Sequence, residues 1–405
     1  MTIVKEILNH MPGIAKPQQK FMTVLFTTIL ALRGHVNFRN LSRYCFYSER
    51  TIARQFRHQF NWPTFNQLLM QQVLQPTSPL IAAQDASFIR KSGKHTFGLD
   101  RFFNSCAGRV ERGLEISTLA LVDVAINCAY TLAVAQTPSA STSSSQEKEK
   151  TRIDFYLQQL SINRPLLPES VKYLAADGFF AKKKYVDGVQ ACGLHLITKL
   201  RCDADLRYLY SGKRRTGRGR PRVYDGKVDF QNLSRFDSLG EIAGFEHLHL
   251  YTSVLYHVTL KGRLRVVVVV NRKDPAKPRY IVLASTDTEL AGGELVRLYG
   301  ARFQIEFLFR DAKQFTGLSD CQARHQKALD FHFNASLTTL NLARIEAVKA
   351  QAEAAPFVFS MASCKQRAFN ERYLEMISEK LALDLSVIKN HSAYEQLRTY
   401  GSIAA

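Results

Sequence analysis

Cysteine and tryptophan are scarce in this 405-residue chain, long apolar runs are missing, and acidic residues are in deficit. The seven cysteines form an odd, scattered set with no C-x-x-C pair and no histidines at matching spacing. That pattern indicates neither a disulfide framework nor a structural zinc site, and a reducing cytoplasm fits it best. The longest early apolar run, Phe21 to Leu32, lies between Lys20 and Arg33 and falls well short of the roughly 20 residues that cross a bilayer. It carries no signal-peptide cleavage region, so it reads as a buried helix, and no membrane partner is expected. Asp plus Glu number 35 against 55 Lys plus Arg, a formal net charge of +20. Such an excess points to a polyanionic partner, nucleic acid before membrane. With 46% hydrophobic residues the chain has enough apolar material for a large core and two or three domains.

The pattern along the chain divides it into five parts. Residues 1–76 read as helical. Within them Ser48 can cap a helix that turns Ile52, Ala53 and Phe56 inward. Arg50, Arg54 and Arg57 then share the opposite side, an arrangement that suits a helix-turn-helix in a DNA groove and equally suits a solvated basic face. Residues 77–200 alternate in type. Strands are expected over Pro79–Ser87, Leu114–Val124 and Ala129–Gln136, then a Ser-rich loop and a helix over Glu147–Leu160. A strand Val171–Asp177, a helix Ala181–Cys192 and a strand Leu194–Leu200 follow. This order matches an α/β ribonuclease H-like mixed sheet with helices. Residues 201–286 read as a β-rich insertion with a basic loop, including Leu264–Val270 and Tyr280–Ala284. Residues 287–345 would supply the closing helix and the remainder of the core, with the helix starting near Thr288 and Glu289 in its first turn. Residues 346–405 form a C-terminal helical region, a candidate for dimerisation.

Asp85 and Asp177 each close an apolar run expected to be a central strand. A carboxylate there is reachable by solvent yet held by a rigid sheet, as a metal ligand must be, although an Asp after a strand is more often a turn or cap residue. The sharper pattern is Leu295–Phe315, read as one helix. At about 100° per residue, Tyr299, Arg302, Glu306 and Lys313 fall on one narrow face. Leu298, Ala301, Ile305, Leu308, Ala312 and Phe315 form an apolar stripe beside them. The plainer reading is an amphipathic helix with an Arg302–Glu306 ion pair worth a few tenths of a kcal/mol.

The spacing Y-x2-R-x3-E-x6-K, complete at Tyr299, Arg302, Glu306 and Lys313, resembles the signature of bacterial insertion-sequence DDE transposases. The group it resembles carries a Tyr-Arg-Glu-Lys motif and a β-strand insertion before the catalytic Glu. With the segments AAQDAS and LAADGFF the resemblance covers roughly residues 40 to 345. It implies that Asp85, Asp177 and Glu306 are the catalytic acids and hold Mg²⁺, with Mn²⁺ able to substitute. It also implies that Tyr299, Arg302 and Lys313 contact phosphates near a cleaved transposon end. The family reaction is metal-dependent strand cleavage and strand transfer through a hairpin intermediate, on double-stranded DNA held by a homodimer or larger assembly. Members of the group commonly stack a flipped base on an aromatic residue of the insertion, often Trp. Here the single tryptophan is Trp62, outside that segment, so stacking would fall to Tyr251, Tyr256 or Phe245.

The basic loop Gly212–Arg222 contains Arg218-Gly219-Arg220-Pro221, which resembles the core of an AT-hook for a narrow A·T minor groove. Arg222 would add a phosphate contact, and a basic linker gripping DNA nonspecifically is an equal reading. His325 and His332 lack ligand partners at metal spacing and read as structural or phosphate-facing. The leading expectation is a cytoplasmic DNA transposase acting on terminal inverted repeats. The alternatives are a catalytically silent DNA-binding protein derived from one, and a hydrolytic ribonuclease H-like nuclease.

Overall fold

A computed structural model describes residues 2–75, 77–139, 151–212, 221–242, 244–274, 279–350 and 357–403. Five helices come first: α1 (Thr2–His10), α2 (Lys16–Ala31), α3 (Phe38–Tyr44), α4 (Glu49–Gln55) and α5 (Trp62–Met70). The Phe21–Leu32 run lies almost wholly in α2, as expected of a buried helix. Ser48 caps α4 by accepting the Thr51 N–H at 3.2 Å, a contact worth about 1 kcal/mol. Ile52 and Phe56 are buried, Ala53 is half-buried, and Arg50, Arg54 and Arg57 are exposed. Because α4 ends at Gln55, Arg57 sits in the turn beyond the helix rather than on it.

The sheet begins with β1 (Leu80–Arg90), β2 (Asp100–Asn104), β3 (Arg109–Asp123) and β4 (Cys128–Gln136). β1 runs five residues past Asp85 because its pairing with β3 continues to Arg90↔Gly113, so Asp85 is a mid-strand residue and not a strand end. β2 was not anticipated, since DRFFN is too short and too charged to show a strand period. Next come α6 (Arg152–Asn163), β5 (Tyr173–Ala176), α7 (Lys183–Ala191) and β6 (His195–Leu200). β1 pairs antiparallel with β3 and parallel with β5, and β5 pairs parallel with β6. A mixed sheet in this order fits the ribonuclease H-like expectation. The strands β7 (Leu206–Leu209), β8 (Tyr224–Lys227), β9 (Asp237–Ile242), β10 (Phe245–His257), β11 (Gly262–Asn271) and β12 (Arg279–Ser285) follow. β12 pairs with β6, so these strands extend the same 12-stranded sheet.

The closing segment departs from the sequence reading. It forms two helices, α8 (Gly292–Ala301) and α9 (Gln304–Phe315), in place of one, and the first starts at Gly292, not near Thr288. At the break the Ile305 and Glu306 N–H groups donate to the Arg302 and Phe303 carbonyls, bonds of the tighter three-residue kind, just after helix-weakening Gly300. The apolar stripe survives the break: Leu298, Ala301, Ile305, Leu308 and Ala312 are all buried.

The long helix α10 (Gln326–Ala350) then runs through the core, followed by α11 (Met361–Lys380), α12 (Leu385–Asn390) and α13 (Tyr394–Thr399). α10 ties the N-terminal helices to the sheet. Phe331 packs on Phe21, Phe56 and Trp62, while the buried Asn66 of α5 accepts from Thr338 and Asn341 and donates to the Leu132 carbonyl of β4. Asp330 lines a cleft of about 780 Å³ at this junction. Burial pushes its carboxyl from 3.8 up to about 6. A raised carboxyl pKa means the charged form is disfavoured in the fold, so the penalty is absent below about pH 4 and complete above about pH 6. Asp330→Asn, which keeps the oxygen that accepts from Asn334, is expected to raise the melting temperature at pH 8 and leave it unchanged at pH 4. Thermal scans of both proteins at the two pH values check this.

Candidate active site

Three elements bring the acids together. Asp85 sits on β1, Asp177 directly follows β5, its neighbour in the sheet, and Glu306 lies in the first turn of α9. The opposite face of β1 is fixed by Gln84, which is fully buried. Its Nε2 donates to the Tyr156 carbonyl and Gln159 Oε1, and its Oε1 accepts from the Tyr185 hydroxyl at 2.5 Å. This network leaves β1 one register, and one register turns Asp85 toward α9. Asp177 accepts the Phe179 N–H at Oδ1 (2.9 Å), and its carbonyl accepts from Thr198 Oγ1 (2.8 Å), so the turn after β5 is held from both ends.

Arg302, 5% exposed, stands between the acids. Its Nη1 lies 3.4 Å from Asp85 Oδ2 and its Nη2 donates to Glu306 Oε1 at 2.8 Å. The ion pair expected within one helix is therefore present, and it also crosses to the sheet. The guanidinium lies over the rings of Tyr299 (5.4 Å) and Phe303 (4.7 Å), and its Nε has no hydrogen-bond partner among the described residues. Burial pushes the Asp85 carboxyl up to about 7, with the Asp177 charge adding and Arg302 opposing. Asp177 is likewise raised by burial, against its backbone hydrogen bonds and Arg302, with Glu306 adding. Each acid therefore feels another, and one cation serves all three.

The other anticipated residues are placed less uniformly. Tyr299 is buried at the end of α8, across the break from Glu306 and Lys313 on α9, with its ring beneath the Arg302 guanidinium. Lys313 is half-buried in the last turn of α9, and burial lowers its pKa. Arg222 is engaged locally, paired with Asp225 and lying 5.0 Å from the Tyr210 ring. Arg218 and Arg220 lie outside the described residues. Of the stacking candidates, Phe245 is exposed, Tyr251 is bonded by Arg272 and Tyr256 packs on Tyr224. His332 is buried with Nε2 2.7 Å from the Gly317 carbonyl, a structural role.

One anchor had been missed. Asp311 on α9 and Arg344 on α10 form a buried pair at 3.2 Å, and Arg344 also donates to the Ala129 carbonyl of β4 at 2.6 Å. Two opposite charges in the apolar faces of successive helices were the available signal.

A family model described as DDE superfamily endonuclease matches residues 15–244, more than half of the chain. The chain belongs to the DDE superfamily endonucleases. A second family model, transposase DDE domain, matches residues 149–342. Between them the two matches take in Asp85, Asp177 and Glu306, and a transposase or endonuclease function on DNA follows from them. No curated protein matches the sequence. No helix among the described residues is long and apolar enough to cross a membrane.

DDE enzymes normally use divalent metal ions. As the side chains stand, no three acidic, histidine or cysteine groups among the described residues are close enough to share one ion. The chemistry of the donors nonetheless fits a hard divalent cation. All three are carboxylates, Asp85 and Asp177 are destabilised by burial and by their acidic neighbours, and Arg302 supplies the one charge that offsets them.

Proposed function

We propose that this DDE protein is a cut-and-paste DNA transposase of the Tyr-Arg-Glu-Lys group, with Asp85, Asp177 and Glu306 as its catalytic acids. The observation that carries this reading is the meeting of Asp85 and Glu306 on the Arg302 guanidinium, beside Asp177 on the neighbouring strand. In this reading the three carboxylates hold Mg²⁺, or Mn²⁺ in its place. The bound metal supplies Lewis acidity to phosphoryl oxygens and lowers the pKa of an attacking water or 3′-hydroxyl. The sheet fixes Asp85 and Asp177, and α9 delivers Glu306. Arg302 would turn from the acids to a phosphate, for which its planar fork is suited. Lys313 and Tyr299 would support the same DNA end, and Arg222 with the basic loop would grip it elsewhere. The protein would bind terminal inverted repeats, free a 3′-hydroxyl, pass through a hairpin and join target DNA. Two ends must be held at once, which calls for a dimer or larger assembly. The seven cysteines, all unpaired, suit a reducing bacterial cytoplasm.

The exposed arginines of the N-terminal helices would contact the duplex. If each neutralises one phosphate, the triple variant Arg50→Ala, Arg54→Ala, Arg57→Ala reduces the slope of log affinity against log salt by about 2.7. Fluorescence anisotropy with a duplex at several salt concentrations measures this. An unchanged slope would assign these residues to a solvated face. The catalytic assignment is tested by DNA cleavage in Glu306→Gln, for which the expected result is binding without cleavage.

A further inference from the structure

Beyond Arg90↔Gly113, where β1 stops, β2 and β3 continue alone as a two-stranded ribbon at the edge of the sheet. Its turn is tightly built. The Cys106 N–H donates to Asn104 Oδ1, the Ala107 N–H donates to the Asn104 carbonyl, and Gly108 takes the left-handed φ of +64° that a side chain would strain. The ribbon has two different faces. On one, Phe102 is fully buried beneath the Arg152 guanidinium, 4.6 Å from its ring, and Asn104 donates to Glu111. That face is anchored to the body.

The other face carries Arg101 opposite Arg112 and Phe103 opposite Val110. Phe103 is 57% exposed and Val110 48%, and both arginines are exposed, with no ion pair to either among the described residues. Opposed residues of an antiparallel pair share a face, and alternate residues along a strand return to it. Asp85 is opposite Thr118 on β3, so Thr118, Arg112 and Val110 place this apolar pair and its arginines on the same side of the sheet as Asp85. At about 3.4 Å per residue Val110 lies roughly 27 Å along β3 from Thr118. That is less than one turn of duplex DNA, about 34 Å.

We propose that the β2–β3 ribbon is a DNA-wedging arm: Arg101 and Arg112 hold the phosphates of a duplex whose reacting end lies at Asp85, and Phe103 with Val110 presses between base pairs within one helical turn of it. This rests on the reading of the protein as one that acts on duplex DNA. The charge and the apolar pair are complementary to different parts of one ligand, since exposed arginines suit phosphates and an exposed Phe with a β-branched neighbour suits an unstacked base step. A second copy of this chain, also strongly basic, is disfavoured as the occupant by two arginines that have no ion pair among the described residues.

The test uses the full chain and two fluorescent 40-base-pair duplexes of the same sequence, one perfect and one with a two-base mismatch. A wedge gains from a step that is already unstacked, so the wild type is expected to prefer the mismatched duplex by about tenfold. Phe103→Ala removes an exposed ring and so keeps the fold, checked by an unchanged thermal melt, and should lose most of that preference. Arg101→Gln with Arg112→Gln should weaken binding to both duplexes and reduce the salt slope by about 1.8. Equal affinity of the wild type for the two duplexes would overturn the arm and leave the DNA reading intact. Failure of the wild type to bind either duplex would overturn both. Loss of self-association in Phe103→Ala, with the mismatch preference unchanged, would overturn the arm in favour of an edge-to-edge contact between copies.

Discussion

Glu306→Gln is expected to lower metal-dependent DNA cleavage by roughly 10³-fold or more while leaving duplex affinity within a few-fold of the wild type. Several kcal/mol of transition-state stabilisation pass through the bound ion, and each 1.36 kcal/mol lost is a factor of ten in rate. The amide keeps the size of the side chain and can still meet Arg302, so the fold loses little. Asp177→Asn should behave alike, because its side-chain oxygen still accepts the Phe179 N–H. A further signature separates this from general damage. Removing one acid relieves the repulsion that helps raise Asp85, so the variant should melt no lower than the wild type without metal and gain less from added Mn²⁺. Single-turnover cleavage and thermal scans with and without Mn²⁺ make both comparisons. Normal cleavage by Glu306→Gln would remove Glu306 from the catalytic set.

The second large effect is expected at the anchor of the helix that carries Glu306. Arg344 is 4% exposed and joins Asp311 of α9 to the Ala129 carbonyl of β4. Arg344→Leu leaves the Asp311 carboxylate buried with only the exposed Arg310 as partner, and breaking such a pair costs about 3–5 kcal/mol. The urea midpoint should fall accordingly. The double variant Asp311→Leu, Arg344→Leu should recover part of the loss, since an apolar pair of similar volume leaves no stranded charge. A midpoint unchanged in Arg344→Leu would show that α9 is held by its apolar stripe alone.

Much of this architecture was legible in the sequence because the central strands and α9 are periodic and apolar on one side. The strands β3, β4, β5, β6, β11 and β12 lie where the apolar runs are, and the buried stripe Leu298, Ala301, Ile305, Leu308 and Ala312 is a helical period in the sequence. What failed was local. Asp85 reads as a strand end because Gln84 and Asp85 interrupt the apolar run Leu80–Ala83, yet cross-strand pairing with β3 carries the strand on to Arg90. Periodicity joined α8 to α9 because a change to three-residue hydrogen bonds at Arg302 leaves the apolar spacing nearly intact. β2 reads poorly because charged Asp100 and Arg101 and apolar Phe102 and Phe103 give each face one of each kind, and the ribbon it forms with β3 emerges only once the pairing of Phe103 with Val110 is known. At the site, the two Asp residues and the Tyr-Arg-Glu-Lys spacing identified the segments that meet, whereas Arg302 crossing to Asp85 is a tertiary contact that no local pattern carries.

The most direct test of the central claim is cleavage of an end-labelled duplex carrying a terminus of the element that encodes this chain. Wild type and Glu306→Gln are incubated with Mg²⁺, Mn²⁺ or EDTA and the strands resolved on a denaturing gel. The account predicts metal-dependent nicking at the terminus followed by hairpin and strand-transfer products, all absent with EDTA and in Glu306→Gln. Tight binding of the terminus by the wild type without cleavage in either metal would contradict it.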